Sequence, residues 1–267
     1  MRVFYNSPKK MSDINECKKI REKILDIAHK SKESHLWSCF SIVEYMYAMY
    51  QYISKNDDDF ILSKGHAALA YYVILWYFWY ISSKTLDRYC KNWSYVSWHP
   101  SKKINGIRLA TGALGIWLSV WIGYAIHNNY VNNNKKTFVL VWDWELNEGA
   151  VREGILYAGS KKIKNLVLVI DNNDLQATEY CSSIIPNKPV FESMWVLWWE
   201  VIYIDGHNLC AIHACLKKCY KKSKWPMAII LKTIKWKGVA FIENKIEWHH
   251  KNMTDEEYLL AKKMIHG

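Results

Sequence analysis

Four short apolar runs, each closed by polar or charged residues, constrain this chain more than any other feature. They are Thr137–Trp142, 165–170, 200–204 and Met227–Lys232. Each is five or six residues long, and most are almost wholly apolar, as strands buried on both faces must be. Helical periodicity lies between them at 148–160 and 208–222. The alternation predicts an α/β fold built on a doubly wound, mostly parallel sheet with helices on both faces.

Upstream, Ile14, Ile20, Ile24, Leu25, Ile27 and Ala28 recur at near-helical spacing behind a Ser12-Asp13 cap, which predicts an amphipathic helix over 12–30. Further helices are expected over 42–52 and 65–80, and 181–189, with Pro186 and Pro189, reads as a long loop. No repeat, low-complexity tract or linker divides the chain, so residues 1–267 read as one domain.

Composition closes several other routes. With 51% hydrophobic and 23% charged residues and five prolines, disorder is not expected. Two stretches, 67–81 and 109–126, lack charges. The first is shorter than the roughly 20 residues of a span, and Thr111, Gly112, Gly115 and Ser119 break the second, so neither reads as a membrane helix. The first 19 residues carry charges and no apolar run, which gives the expectation of a cytoplasmic chain. Seven cysteines without a CxxC pair argue against a disulfide framework or a zinc site. The net charge of +11 is densest over 217–224, which reads as a solvated helix end because no nucleic-acid motif accompanies it. Anionic substrates gain weakly from such a field.

Ligands of open α/β sheets sit at the carboxyl ends of strands. The run Thr137–Trp142 ends in Asp143, and 165–170 ends in Asp171-Asn172-Asn173, so two strands bring oxygen ligands suited to Mg²⁺ to one edge. On spacing alone, the blander reading that Asp143 and Asn173 only cap the next helix and turn is favoured.

Seven short motifs in order shift that balance. Leu62-Ser63-Lys64-Gly65-His66-Ala67, His99-Pro100, Thr111-Gly112-Ala113-Leu114-Gly115, Asp143 with Asn173 thirty residues on, Asp205-Gly206-His207, Lys235-Trp236-Lys237-Gly238-Val239 and Glu247-Trp248-His249 together resemble the N-terminal, diphosphate-binding part of transketolases. The resemblance runs from about residue 20 to about residue 257. It implies thiamine diphosphate and Mg²⁺ as cofactors, and transfer of two-carbon ketol units between ketose and aldose phosphates. It also implies roles. Asp143, the Asn173 side chain and the Leu175 carbonyl would hold Mg²⁺; Gly112, Leu114 and Trp144 would approach the cofactor; His35, His66, His99 and His249 would line the cleft. Glu148 and Glu153 match acids that couple paired sites across a dimer, with helix N-terminal charge as the plainer reading. The carboxylate that engages the aminopyrimidine lies in a pyrimidine-binding domain that this sequence does not contain. A C-terminal transketolase subunit carrying that domain is therefore the expected partner, in a heterotetramer, with neither nucleic acid nor membrane as a partner. The alternatives are a deoxyxylulose-phosphate synthase type of enzyme and a catalytically silent subunit.

One departure stands out. The chain has 15 tryptophans and 11 glycines, where ordinary usage gives about 19 glycines. Trp142-Asp143-Trp144 stands where the family has glycine-Asp-glycine, and Trp37, Trp79, Trp98, Trp117, Trp121, Trp198 and Trp236 also match family glycines. Trp199 and Trp248 match family tryptophans. The expectation is that UGA codons meaning glycine stand here as tryptophan. Taken literally, two indoles fill the space the diphosphate needs, and overfilling a core costs about 1–3 kcal/mol per site.

Overall fold

The apolar runs lie side by side in the computed structural model, which describes residues 7–32, 38–176, 178–249 and 251–267. Strands β1 (Asp59–Leu62), β2 (Thr137–Trp142), β3 (Leu166–Asn172), β4 (Glu200–Asp205) and β5 (Met227–Lys232) form one sheet in the order β1-β2-β3-β5-β4. Every neighbouring pair is parallel. The register carries Leu62, Leu140, Val169 and Ile229 across the sheet as one row.

Among the described residues the helices are α1 (Ser7–Ser31), α2 (Val43–Asn56), α3 (Ala68–Tyr77), α4 (Ser83–Leu86), α5 (Trp117–Tyr130), α6 (Gly149–Ser160), α7 (Cys181–Ile184), α8 (Lys188–Val196), α9 (Leu209–Cys219) and α10 (Asp255–His266). Successive strand side chains point to opposite faces. Phe138, Leu140 and Trp142 meet Ile20 and Ile24 of α1, Met46 of α2, Ile74 of α3 and Leu216 of α9. Val139 and Val141 meet Leu118 and Ile122 of α5, Ile155 of α6 and Met194 of α8. The expected doubly wound sheet, with helices on both faces, is thus the fold.

Several details differ from the sequence reading. Ser12 and Asp13, expected to cap the first helix, lie inside α1, which starts at Ser7. The run 200–204, expected to be buried on both faces, is the half-exposed edge strand β4. Strand β1 was not expected, because only Phe60-Ile61-Leu62 is apolar there; its Asp59 is buried by Asn128, which donates to it at 2.8 Å, and by Arg108 at 3.2 Å. The expected loop over 181–189 holds α7 and the start of α8, where Pro189 sits in the first turn and opens the helix instead of breaking it. The uncharged stretch at 109–126 ends in α5, and no helix among the described residues is long and apolar enough to cross a membrane. Lys217 and Lys218 lie in the last turn of α9, favoured by the helix dipole, and Lys218 pairs with Glu200 at 2.6 Å.

Candidate functional site

All five strands run the same way, so their carboxyl ends share one edge, and the polar tails of the motifs meet there. Asp171, near the end of β3, is buried at the centre. It accepts hydrogen bonds from Lys64 Nζ just past β1, from Thr233 just past β5, from Ser41 at 2.7 Å and from Asn173 Nδ2 at 3.3 Å. Burial pushes its carboxyl up, but the Lys64 charge and these donors outweigh that and hold it below the usual range.

Asp143, one residue past β2, is also fully buried, and three backbone amides donate to it: Trp144 at 2.9 Å, Asn173 at 2.9 Å and Asp174 at 2.6 Å. Burial, and then the charge of Asp171, push it up to about 7. The capping reading is therefore realised, and so is the adjacency of Asp143 and Asn173 at neighbouring strand tips. Asn173 Oδ1 accepts from Leu175 N at 3.1 Å, which folds the 173–175 turn back toward Asp143. No group of three or more His, Cys, Asp or Glu that could hold a metal gathers among the described residues. What the edge offers is the Asp143 carboxylate and the Asn173 amide oxygen, beside an Asp171 already engaged by Lys64, Thr233 and Ser41. Such hard, incomplete oxygen sets suit Mg²⁺ shared with phosphate oxygens, and the ion would supply the positive charge that the buried Asp143 carboxylate calls for.

The histidines arrive on separate segments. His66 lies in the single turn Gly65–Ala67 after β1, and its ring centroid is 4.8 Å from that of His99. The 111–115 loop reaches them because glycines permit it. Gly112 has φ +149°, and a Cβ there would fall 2.6 Å from His99 Cδ2. Burial lowers the pKa of His99. Leu114 is partly buried and, like Trp144, packs on the core beneath. His249 is buried, with Nδ1 3.1 Å from both Lys235 Nζ and the Gln176 carbonyl, so the 173–176 turn and the C-terminal motif are tied together. Glu148 is exposed at the start of α6, and a Cβ on Gly115 would fall 2.7 Å from its Cβ; Glu153 is exposed on the same helix. His35 and Trp37 lie outside the described residues.

Three charged groups that organise this edge, Lys64, Glu145 and Lys235, were given no role by the sequence reading, and Asp171 was expected there only as an oxygen ligand at the strand end, not as the partner of Lys64. Lys64 and Lys235 stand inside motifs already singled out, each next to a glycine or a tryptophan, and Glu145 lies two residues past Asp143. Glu145 is buried; it accepts from Ser63 at 2.5 Å, from Gly115 N at 3.2 Å and from Trp142 N at 3.3 Å, and burial pushes it up to about 7 despite those donors. Lys235 is pulled down to about 8 by burial and then by the charge of Lys64. Lys64, already paired with Asp171, and Lys235 are the cations beside Asp143.

Comparison with known proteins identifies the family and the fold. Residues 12–266 match the family model described as transketolase, thiamine diphosphate binding domain. One relative, an apulose-4-phosphate transketolase subunit (designated A) from Actinobacillus succinogenes, is 33% identical over 257 residues, covering 92% of this chain and 93% of that one. The 6-deoxy-6-sulfo-D-fructose transketolase subunit SqwG of Clostridium sp. is 29% identical over 252 residues, covering 91% and 92%. In three dimensions, the crystal structure of transketolase from Campylobacter jejuni matches with a TM-score of 0.87 at 22% identity, over 100% of this chain and 43% of that one, a likeness that carries the fold. The chain belongs to the transketolase family, as a thiamine-diphosphate-binding domain.

Proposed function

We propose that this chain, as one domain over residues 1–267, is the diphosphate-binding subunit of a two-subunit transketolase that moves two-carbon ketol units between sugar phosphates with thiamine diphosphate and Mg²⁺. The observation that carries the reading is the pair of adjacent strand tips bearing Asp143 and Asn173, with His66, His99 and His249 on the loops beside them. The names of the two relatives above, each a transketolase subunit nearly the same length as this chain, support the two-subunit arrangement. Those names also differ in sugar, so the donor and acceptor of this chain are left as ketose and aldose phosphates.

Thiamine diphosphate, when bound, supplies the carbanion chemistry. The chain's own residues would do the rest. Asp143, Asn173 and the Leu175 carbonyl would hold Mg²⁺, and Lys64 and Lys235 would offset the diphosphate charge. His99, kept neutral by burial, can accept a hydrogen bond from a sugar hydroxyl, with His66 beside it. His249 is oriented by Gln176. Glu148, exposed next to Gly115, would meet a neighbouring subunit in this reading.

Mixing this chain with a chain carrying a pyrimidine-binding domain, ideally the product of an adjacent reading frame, tests the proposal. Ketose-phosphate turnover is expected only from the mixture with both cofactors. Tight thiamine diphosphate binding and turnover by this chain alone would overturn the two-subunit reading. A second reading, a catalytically silent subunit, is favoured by one observation: the rings of Trp142 and Trp144 pack 5.3 Å apart on either side of Asp143. Cofactor titration of the mixture separates the two.

A further inference from the structure

The tryptophans fall into two structural populations. One behaves as tryptophan should: Trp199 is 2% exposed and donates from Nε1 to the Ile155 carbonyl at 3.0 Å, and Trp76 donates to Ser83 at 2.8 Å.

The other population breaks that pattern in two independent ways. The first is backbone. Among the described residues eleven non-glycine positions have positive φ, and four of them are tryptophan: Trp79 at 65°, Trp93 at 61°, Trp198 at 59° and Trp236 at 64°. Left-handed backbone disfavours bulky side chains. At two of these, helix-end geometry specifies the role of the position. After α3, Trp79 N donates to the Trp76 carbonyl at 3.1 Å and Tyr80 N to that of Leu75 at 2.8 Å; after α8, Trp198 N donates to that of Trp195 at 3.2 Å and Trp199 N to that of Met194 at 2.9 Å. This paired closure is the Schellman motif, whose left-handed residue is usually glycine. Nor does packing demand the indoles, since Trp79 is 92% and Trp93 96% exposed.

The second is hydrogen bonding. Seven buried side-chain polar atoms have no partner among the described residues, and four are the indole N–H groups of Trp117, Trp121, Trp144 and Trp236. Buried donors are almost always satisfied, so this cluster on one residue type is anomalous. Trp236 shows both faults at once.

We infer that glycine occupies positions 79, 93, 117, 121, 144, 198 and 236 of the natural polypeptide, and position 142 with them, each encoded by a UGA codon that its organism assigns to glycine. A single codon reassignment accounts for one residue type failing at the first seven sites while Trp76 and Trp199 fit, and position 142 joins them because it, like 144, flanks Asp143 where the resemblance puts glycine. It also reopens the candidate site, because Trp142 lies against Lys64 (Nζ 4.5 Å from the ring centroid) and His66 (6.3 Å between centroids), and Trp144 packs on Trp142. With both indoles gone, the backbone on either side of Asp143 becomes approachable. That last consequence rests on the proposed cofactor role; the residue assignment does not.

Peptide mass spectrometry of the protein isolated from its own organism decides the assignment. Peptides with glycine at 79, 93, 198 and 236 are expected, and tryptophan at those positions overturns it. Thermal unfolding of the chain as written is the second measurement. Trp198→Gly and Trp79→Gly should raise the melting temperature by about 2–4 °C each, against the usual direction for losing a large side chain, and Trp199→Gly should lower it. A fall in all three variants also overturns the inference. Should the chain as written not fold, the version with glycine at all eight positions is expected to fold, and its failure counts against the assignment. Titration of that version, mixed with its partner subunit, with thiamine diphosphate and Mg²⁺ then addresses the cofactor role separately: glycine peptides with no cofactor binding would refute the proposed function and leave the residue assignment standing.

Discussion

Ser63 and Glu145, one just past β1 and the other just past β2, share a buried hydrogen bond of 2.5 Å. Through Glu145, which also receives the amide of Gly115 at 3.2 Å, two strand ends and the 111–115 loop are held as one unit. The histidine cleft is assembled on that unit, since His66 follows Ser63 and His99 packs on Gly112.

Glu145 is therefore expected to write its titration into folding stability. Its pKa is raised to about 7 in the folded chain from an unfolded value of 4.5, so the native state holds the extra proton between those values. The favourable contribution is complete below about pH 4.5 and is lost as pH rises through about 7. Glu145→Gln cannot titrate, and urea midpoints measured from pH 5 to 7 should show a slope shallower by about 1.4 kcal/mol per pH unit. An unchanged slope means the carboxyl ionises as freely in the fold as in the unfolded chain.

The Lys64–Asp171 pair predicts a different asymmetry. Both side chains are buried, so Lys64→Met strands an uncompensated carboxylate and should cost about 3–5 kcal/mol. Adding Asp171→Asn removes the stranded charge and should recover much of that loss, because the amide oxygen can still accept from one of the Thr233 and Ser41 hydroxyls while the amide NH2 donates to the other hydroxyl oxygen. Urea denaturation of the single and double variants measures this, and additive losses would contradict it.

How much of this was legible in the sequence follows from what sequence patterns encode. Strands β2, β3 and β5 announced themselves because a strand buried on both faces must be apolar throughout; β4, half-exposed at the sheet edge, still carries the apolar run Val201-Ile202-Tyr203-Ile204, while β1, with three apolar residues behind three aspartates, gave no such signal. Motif order located Asp143, Asn173, His66, His99 and His249, all of which the fold gathers at one edge. It said nothing of the buried pairings of Lys64, Asp171 and Glu145, because the burial of a charge depends on partners brought from distant segments: Ser41 lies 130 residues from Asp171, and Ser63 lies 82 from Glu145. The tryptophans show the reverse case. Sequence comparison made them suspect, and left-handed backbone at Trp93, which no motif had flagged, extends the set.

His207 gives a third expectation. Its Nε2 accepts from Ile234 N at 2.9 Å, which places the ring proton on Nδ1, facing Glu44 Oε2 at 3.1 Å, and Arg21 holds the same oxygen at 2.6 Å. Burial raises the Glu44 pKa, but the charge of Arg21 and the His207 hydrogen bond outweigh it and bring the carboxyl to about 2. Stability from this group is present above about pH 4.5 and lost as pH falls toward 2. Glu44→Gln should lose about 3 kcal/mol at pH 7 and show a flatter acid limb below pH 4.5 than the parent chain. Equal acid limbs would place the pH sensitivity elsewhere.

Asp143 joins the candidate site to pH most directly. Its folded pKa of about 7 means that near neutrality the side chain is only partly ionised, whereas a divalent cation binds the carboxylate form alone. Loading Mg²⁺ with thiamine diphosphate must then release a proton below pH 7. Apparent affinity of the reconstituted complex should rise about tenfold per pH unit up to that point and level off above it. Asp143→Asn keeps an oxygen that can accept the Asn173 and Asp174 amides, so the turn should persist, while Mg²⁺-dependent cofactor binding falls by at least about 10-fold and loses its pH dependence. Isothermal titration at two pH values in buffers of different ionisation enthalpy counts the released proton. A variant that binds Mg²⁺ like its parent at every pH would show that the ion, if it binds this chain, is gripped somewhere other than the tip of β2.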